Sequence, residues 1–168
     1  MRITPEQKYS KAWNLMMEAC KEGNWGDPFS YARSREILIA INLGHKVAET
    51  LSGADGIDSD GDCEYKSTTA DKIKAAYSGI SVFNTWKEQD DYLRNEKIKK
   101  YKNHYIARFT TDPSNPIAEI WKLDGDTVYN LLLPKLKKQF NKKNKGKDPR
   151  LAAHLQTKEI YENGIQIH

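Results

Sequence analysis

The sequence has few of the residues that build disulfide scaffolds and zinc cages. Only two of its 168 residues are cysteine, Cys20 and Cys63, and its four histidines follow no metal-ligand spacing. Two thiols are too few for a disulfide framework and, without histidine, too few for a structural zinc site. We therefore expect reduced, buried thiols and imidazoles that are packed or at the surface.

Long hydrophobic runs are also missing. Apolar residues make up 38% of the chain, charged residues 30%, and the mean hydropathy is -0.80. No window approaches the roughly 18 apolar residues of a membrane span. The polar start, 1–6, is not followed by the apolar run and cleavage site of a signal peptide. These absences predict a cytoplasmic protein without a membrane partner, and the length predicts a single domain over 1–168.

Charge is distributed unevenly along the chain, although its net value is only +4. The stretch 55–64 holds five carboxylates and no base, whereas 135–150 is dense in lysine with Asp148 as its single acid. The first stretch suits cations and the second suits phosphates. The basic segment is either a solvated face or a phosphate contact, and a second basic group at 94–102 could flank the same substrate. The candidate nucleic-acid-binding residues are Lys135, Lys137, Lys138, Lys142, Lys143, Lys145, Lys147 and Arg150.

The clearest helix begins after Thr4, where Pro5 occupies the first helical position and Gln7 completes a capping box. An apolar stripe follows and ends near Gly23, and we expect it to be core or a subunit contact. Its residues are Tyr9, Ala12, Trp13, Met16, Met17 and Cys20. A second helix is predicted from an Asp27-Pro28 cap to a stop at Gly44.

The rest of the chain alternates between strand and helix patterns. This alternation predicts an α/β or α+β fold with a central mixed β-sheet flanked by helices. Strands are expected at 45–50, 54–59, 62–67, 104–110 and 117–123, and helices at 68–77, 85–100, 127–139 and 157–162.

Acidic residues and a lysine converge on the hairpin predicted around Asp60-Gly61, a strong turn signal. With those two residues as the turn, Asp55 lies opposite Lys66, and Glu64 lies on the same side of the ribbon. Asp55 and Glu64 are then diagonal neighbours about 7 to 8 Å apart, within reach of one cation. A bulged turn would change this geometry, and a solvated acidic turn is the alternative for the whole segment.

Such a group suits Mg²⁺, which prefers hard oxygen ligands and needs only one or two carboxylates beside a substrate phosphate. Hydrolysis of a phosphodiester needs an activated water, a polarised phosphoryl oxygen and a neutralised leaving group, all of which such an ion supplies. Adjacent carboxylates favour the charged form of Lys66. We therefore expect this side chain to orient and stabilise charge rather than to act as a general base.

The segments Ala54-Asp55 and Glu64-Tyr65-Lys66 resemble the PD-(D/E)xK motif of restriction endonuclease-like nucleases, with Ala54 where the motif has proline. The succession of a helix, three strands, a helical region and a strand is also similar to their common core. The resemblance implies a catalytic core over 27–123 with a basic segment over 135–150. It implies an Mg²⁺-dependent endonuclease that cuts double-stranded DNA as type II restriction enzymes do, with Mn²⁺ as a substitute ion.

The resemblance also implies roles for individual residues. Asp55 and Glu64 would be metal ligands, the Tyr65 backbone carbonyl a further ligand, and Lys66 the catalytic lysine. Glu36 on the preceding helix is a possible additional acid, although it could simply pair with Arg33 or Arg35.

A double-strand cut by one active site per chain favours a homodimer, with the first helix or the C-terminal region as interface candidates. Two other functions stay open from the sequence. One is a non-catalytic nucleic-acid-binding module that uses only the basic segments. The other is a structure-selective or repair nuclease, or one that acts on RNA.

Overall fold

A computed structural model describes residues 3–49, 53–142 and 150–168. Within these ranges, no helix is both long and apolar enough to cross a membrane. The helices are α1 (Pro5–Glu22), α2 (Arg33–Leu43), α3 (Trp86–Tyr92) with a π-helical turn (Leu93–Lys97), α4 (Gly125–Asn141) and α5 (Thr157–Asn163). The strands are β1 (Lys46–Val47), β2 (Gly56–Asp58), β3 (Gly61–Thr68), β4 (Ala75–Ile80), β5 (Asn103–Phe109), β6 (Ile117–Asp124), β7 (Leu151–Leu155) and β8 (Ile165–Gln166).

Six of the strands form one mixed sheet in the order β1-β2-β3-β5-β6-β8. β3 and β5 are parallel, and the other neighbours in this sheet are antiparallel. A parallel pair needs a long crossover, which here contains β4 and α3. β4 leaves the main sheet and pairs with β7 in a separate two-stranded sheet. The fold is therefore a mixed α/β arrangement, in agreement with the predicted class.

Apolar side chains are buried on both faces of the main sheet. On one face, Cys63 and Tyr65 of β3 pack with Ile37 and Ala40 of α2. On the other face, a larger core joins the main sheet to β4, β7, α4 and α5. Because residues alternate between faces along a strand, β3 presents Glu64 and Lys66 to the side opposite Cys63 and Tyr65.

Several predicted elements are confirmed. Thr4 and Thr85 both cap helices through complete capping boxes. Gly44 ends α2 in the left-handed conformation, with φ of 68°. The strands predicted at 104–110 and 117–123 and the helices predicted at 127–139 and 157–162 are present with small shifts of their ends.

Two predicted elements are wrong. The Asp27-Pro28 pair does not cap α2, which begins at Arg33, because the Asp27 carboxylate instead accepts the Phe29 N–H at 2.9 Å and closes a local turn. The helix expected at 68–77 is absent, since β3 runs to Thr68 and β4 begins at Ala75. The alternation of buried and exposed side chains from 75 to 78 is a strand pattern. β7 and β8 were not predicted.

Candidate active site

The hairpin between β2 and β3 differs from the predicted one by a two-residue shift of register. Asp58 pairs with Gly61 and Gly56 with Cys63, so the turn residues are Ser59 and Asp60. The predicted Asp60-Gly61 turn is therefore wrong. The Asp58 side chain accepts the Asp60 N–H at 2.7 Å, and this local bond sets the turn one residue earlier. A shift by two residues leaves each side chain on its predicted face, because strand side chains alternate with period two.

The shifted register brings Asp55 opposite Glu64 instead of Lys66. The Asp55 N–H donates to the Cys63 carbonyl at 3.1 Å, and the Tyr65 N–H donates to Asp55 Oδ2 at 2.8 Å. Lys66 follows two positions along β3 and forms an ion pair with the Glu64 carboxylate. The two carboxylates and the ammonium therefore lie together at the start of the hairpin.

Asp55 sits in an environment that opposes its negative charge. Burial, and then the nearby charge of Glu64, raise the pKa of Asp55 to about 7, and Lys66 only partly offsets them. The carboxyl group is therefore poised to exchange a proton for a cation near neutral pH.

Lys66 is held in its charged form. Burial alone lowers the pKa of the ammonium, but the carboxylates of Glu64 and Asp55 outweigh it, so the pKa of Lys66 lies above its ordinary value. The ammonium also lies over the ring of Tyr77, 5.3 Å from the centroid. A cation against an aromatic face gains electrostatic stabilisation. Lys66 is therefore held as an ammonium between the carboxylates and the Tyr77 ring.

Tyr77 is fixed by a buried hydrogen-bond chain that sequence reasoning missed. Its hydroxyl lies 3.0 Å from His104 Nδ1, and His104 Nε2 lies 3.0 Å from the Ile98 carbonyl oxygen. Since a carbonyl only accepts, Nε2 donates and the Tyr77 hydroxyl donates to Nδ1. Burial lowers the pKa of His104 to about 4, which keeps the imidazole neutral. The alternation of buried and exposed side chains from 75 to 78 identifies the strand that carries Tyr77.

Glu36 pairs with Arg33, one of the two arginine partners that the sequence left open, and its role as an additional acid stays a prediction. Its carboxylate lies 3.5 Å from Arg33 Nη1, as expected for a partner of a neighbouring arginine. Burial raises the pKa of Glu36, and the charges of Arg33, Lys66 and Glu64 also act on it. Arg33 is 1% exposed and donates through Nε to the Trp25 carbonyl at 2.8 Å. Glu36 is therefore a third acid at the edge of the same charged cluster.

The donor set suits a hard divalent cation that keeps part of its water shell. Two carboxylates and the Tyr65 carbonyl are the oxygen ligands that Mg²⁺ accepts, with substrate phosphate and water completing an octahedron. In the described ranges, no group of three or more His, Cys, Asp or Glu side chains is arranged to hold a metal ion. A cation here would depend on substrate and backbone oxygens as well as on Asp55 and Glu64.

The acids at the tip of the hairpin have structural roles. Asp58 accepts hydrogen bonds from Asn103 Nδ2 and the Tyr105 hydroxyl, both at 2.8 Å. Asp60 forms an ion pair with Lys102. These bonds tie the β2–β3 turn to β5 and to the residue before it, and strand alternation places Asp58 on the face opposite Asp55.

The predicted nucleic-acid-binding residues differ in their surroundings. Lys135 donates to both Glu159 oxygens, at 2.6 and 2.7 Å, and to the His154 carbonyl, so its ammonium is engaged inside the protein. Lys137 lies over the ring of Trp86 at 5.5 Å, and Lys138 is exposed on α4. Lys142 and Arg150 are also exposed. Lys143, Lys145 and Lys147 lie outside the described residues.

Comparison with known proteins adds no relative to this description. No protein-family model matches the chain, and a search of curated proteins finds no match either.

Proposed function

We propose that the chain is an Mg²⁺-dependent endonuclease that hydrolyses phosphodiester bonds in double-stranded DNA, with Mn²⁺ able to substitute for Mg²⁺. The observation that carries the proposal is the convergence of Asp55, Glu64 and Lys66 on one face of the β2–β3 hairpin. A structural hairpin gains nothing from placing two carboxylates together with a raised pKa on one of them. Carboxylates brought together with a raised pKa are typical of functional sites, and two such groups suit a divalent cation.

Asp55 and Glu64, with the Tyr65 carbonyl, would hold the ion. Once bound, the ion supplies an activated water and compensates the charge of the leaving oxygen. Asp55 would bind the ion through its deprotonated carboxylate, whose charge burial and Glu64 oppose as long as no cation is bound. The hydrogen bond from the Tyr65 N–H orients Asp55 Oδ2 and leaves Oδ1 for a ligand.

Lys66 supplies a fixed positive charge beside the scissile phosphate. Its ion pair with Glu64 and its contact with the Tyr77 ring restrict the ammonium to one place. Preorganised charge of this kind stabilises a transition state without further reorganisation. Glu36 adds negative charge at the edge of the site, which strengthens the attraction for a divalent ion.

The order of elements supports the same proposal. α2, then β1, β2 and β3, then a crossover and the parallel strand β5, follow the succession expected for a restriction endonuclease-like core. The site lies on β2 and β3, in the centre of that succession. A cut in both strands needs two active sites, so the proposal includes a homodimer on duplex DNA.

The decisive experiment incubates the protein with plasmid and with defined duplex, single-stranded, branched and RNA oligonucleotides, in Mg²⁺, Mn²⁺ or EDTA. We expect discrete products from duplex DNA that depend on the metal and vanish for Asp55→Asn and Lys66→Ala. Asp62→Asn and Lys74→Ala are matched controls, because both side chains are exposed and Asp62 lies on the same hairpin.

Each outcome separates the candidate functions. Cleavage that survives Asp55→Asn or Lys66→Ala rejects this active site. DNA binding without cleavage under either metal supports the non-catalytic binding module instead. Preferential cutting of branched DNA or RNA assigns a structure-selective or RNA-directed nuclease in place of a restriction-like enzyme.

A further inference from the structure

α1 is the least covered helix among the described residues. Its side chains from Pro5 to Ala19 are all exposed, and only Cys20, in its last turn, is buried. Cys20 packs in the core that α2 shares with β3. The helix is thus attached by its C-terminal end, and its preceding turns extend away from that contact.

The exposed part of α1 is apolar along one stripe. Tyr9, Trp13 and Met16 follow at spacings of four and three residues and continue into Cys20, so they share one side of the helix. They are 70%, 42% and 37% exposed. An apolar stripe on a helix ordinarily faces a core. This stripe meets its own chain at Cys20 and at Phe29, which stacks on Trp13 with ring centroids 3.8 Å apart.

The loop that carries Phe29 enlarges the apolar surface. Phe29 is 43% exposed, and Tyr31 is fully exposed with a φ of 50°. A bulky residue rarely adopts positive φ, so Tyr31 is presented outward at a conformational cost. An exposed apolar surface of this extent marks an interaction site.

We propose that the occupant of this surface is a second copy of the chain, with the two α1 helices antiparallel around a two-fold axis near Trp13. The exposed fractions of Tyr9, Trp13, Met16, Phe29 and Tyr31, with Met17 beside them, correspond to roughly 700 Å² per copy, using ordinary residue areas. A standard specific interface buries about 800 Å² per partner. The surface is therefore large enough for a dimer when self-paired.

The charges on α1 favour a second copy of the chain over nucleic acid as the occupant of this surface. The stripe itself carries no cation, and helical periodicity places Lys8 and Lys11 on the far side of α1. A phosphate-binding surface would need those ammonium groups beside the aromatic rings.

The C-terminal region is a weaker interface candidate than α1. Its backbone is already paired with β6, with Ile120 N donating to the His168 carbonyl at 3.2 Å and Ile167 N donating to the Ile120 carbonyl at 2.9 Å. The α1 proposal does not depend on nuclease activity.

The test is sedimentation equilibrium of the full chain without DNA or metal, from about 1 to 100 µM. We expect a dimer for the wild-type chain and for Leu15→Glu, which changes a residue that is 54% exposed but off the stripe. Trp13→Glu combined with Met16→Glu should weaken self-association at least about 100-fold, as loss of a central aromatic anchor does. Thermal unfolding reports whether the remaining fold is intact.

Cross-linking tests the antiparallel orientation of the two α1 helices, and it does not require the Trp13→Glu, Met16→Glu chain to fold. Mixing Tyr9→Cys chains with Met17→Cys chains and a short bifunctional maleimide should give a heterodimeric product, whereas Tyr9→Cys alone should give little. A monomeric wild-type chain overturns the proposal, as does a dimer that survives the double substitution. If the wild-type chain is monomeric and Trp13→Glu with Met16→Glu lowers its affinity for DNA, the surface binds nucleic acid and the dimer proposal is wrong.

Discussion

Replacing Asp55 with asparagine should stabilise the metal-free protein at pH 8. The carboxyl group has an ordinary pKa of 3.8, and burial followed by the charge of Glu64 raises it to about 7 in the folded chain. The folded state therefore binds more protons than the unfolded state between about pH 4 and 7. The free energy of unfolding consequently falls as pH rises through this range, and the loss is complete above it.

The magnitude follows from the size of the shift. Each pKa unit corresponds to about 1.4 kcal/mol, which sets an upper value of about 4 kcal/mol for Asp55. Since the side chain is only partly buried and Lys66 responds to the same charges, we expect about 2 kcal/mol. Asparagine is neutral and keeps an oxygen to accept the Tyr65 N–H. For a chain of this length the gain corresponds to roughly 4 to 8 °C in Tm.

The assay is thermal unfolding in EDTA at pH values from 5 to 8.5, with Asp62→Asn as the control on the same hairpin. Asp55→Asn should raise Tm at pH 8 and change it little at pH 5, where the wild-type carboxyl is already protonated. Asp62 is exposed, so its variant should stay within about 0.5 kcal/mol of wild type. Adding Mg²⁺ at about 100 times its Kd should stabilise wild type by about 2.7 kcal/mol and leave Asp55→Asn unchanged.

Three results would contradict the predicted effect of Asp55→Asn. A lower Tm for Asp55→Asn at pH 8 would mean that the carboxylate stabilises the fold, which contradicts an environment that opposes its charge. An equal change at pH 5 and pH 8 would mean that protonation of Asp55 is not involved. An Mg²⁺-dependent rise in Tm that persists in Asp55→Asn would place the cation elsewhere.

Two further predictions concern the surroundings of the site. Tyr77→Phe keeps the ring beneath Lys66 and should retain kcat within a few-fold. Tyr77→Leu removes a contact worth about 0.5 to 2 kcal/mol and should lower kcat about 2- to 30-fold without a matching change in KM. Both variants leave His104 Nδ1 without its donor, so a loss of kcat common to both would assign the effect to that bond. Lys138→Ala with Lys142→Ala should lower the salt dependence of DNA binding by a slope of about 2, measured by fluorescence anisotropy. Lys135→Ala should leave that slope unchanged, because its ammonium is bound by Glu159, and an equal slope for all three chains would exclude α4 from the interface.

Local sequence signals predicted the elements whose ends are fixed by nearby side chains. The Thr4 and Thr85 capping boxes and the Gly44 stop are short-range chemistry, and each is present in the fold. The Asp27 error has the same origin, because one carboxylate can cap a helix or close a turn, and the sequence does not say which. Strands that depend on distant partners were harder to predict. β4 and β7 are stabilised by pairing with each other, although about 75 residues separate their paired positions along the chain.

The arrangement of Asp55, Glu64 and Lys66 was predictable for a different reason. The face on which a strand side chain lies depends only on whether the register shift is even or odd, so an error of two residues changed the partners and kept the faces. A shift of one residue would have exchanged Asp55 for Asp58, which instead bonds to Tyr105 on the opposite face. What the sequence could not supply was the Tyr77–His104 support beneath Lys66, since Tyr77 lies on β4 in the second sheet and His104 lies on β5 in the main sheet. Groups that lie on one hairpin are thus accessible to sequence reasoning, whereas the groups that position them depend on packing between separate elements.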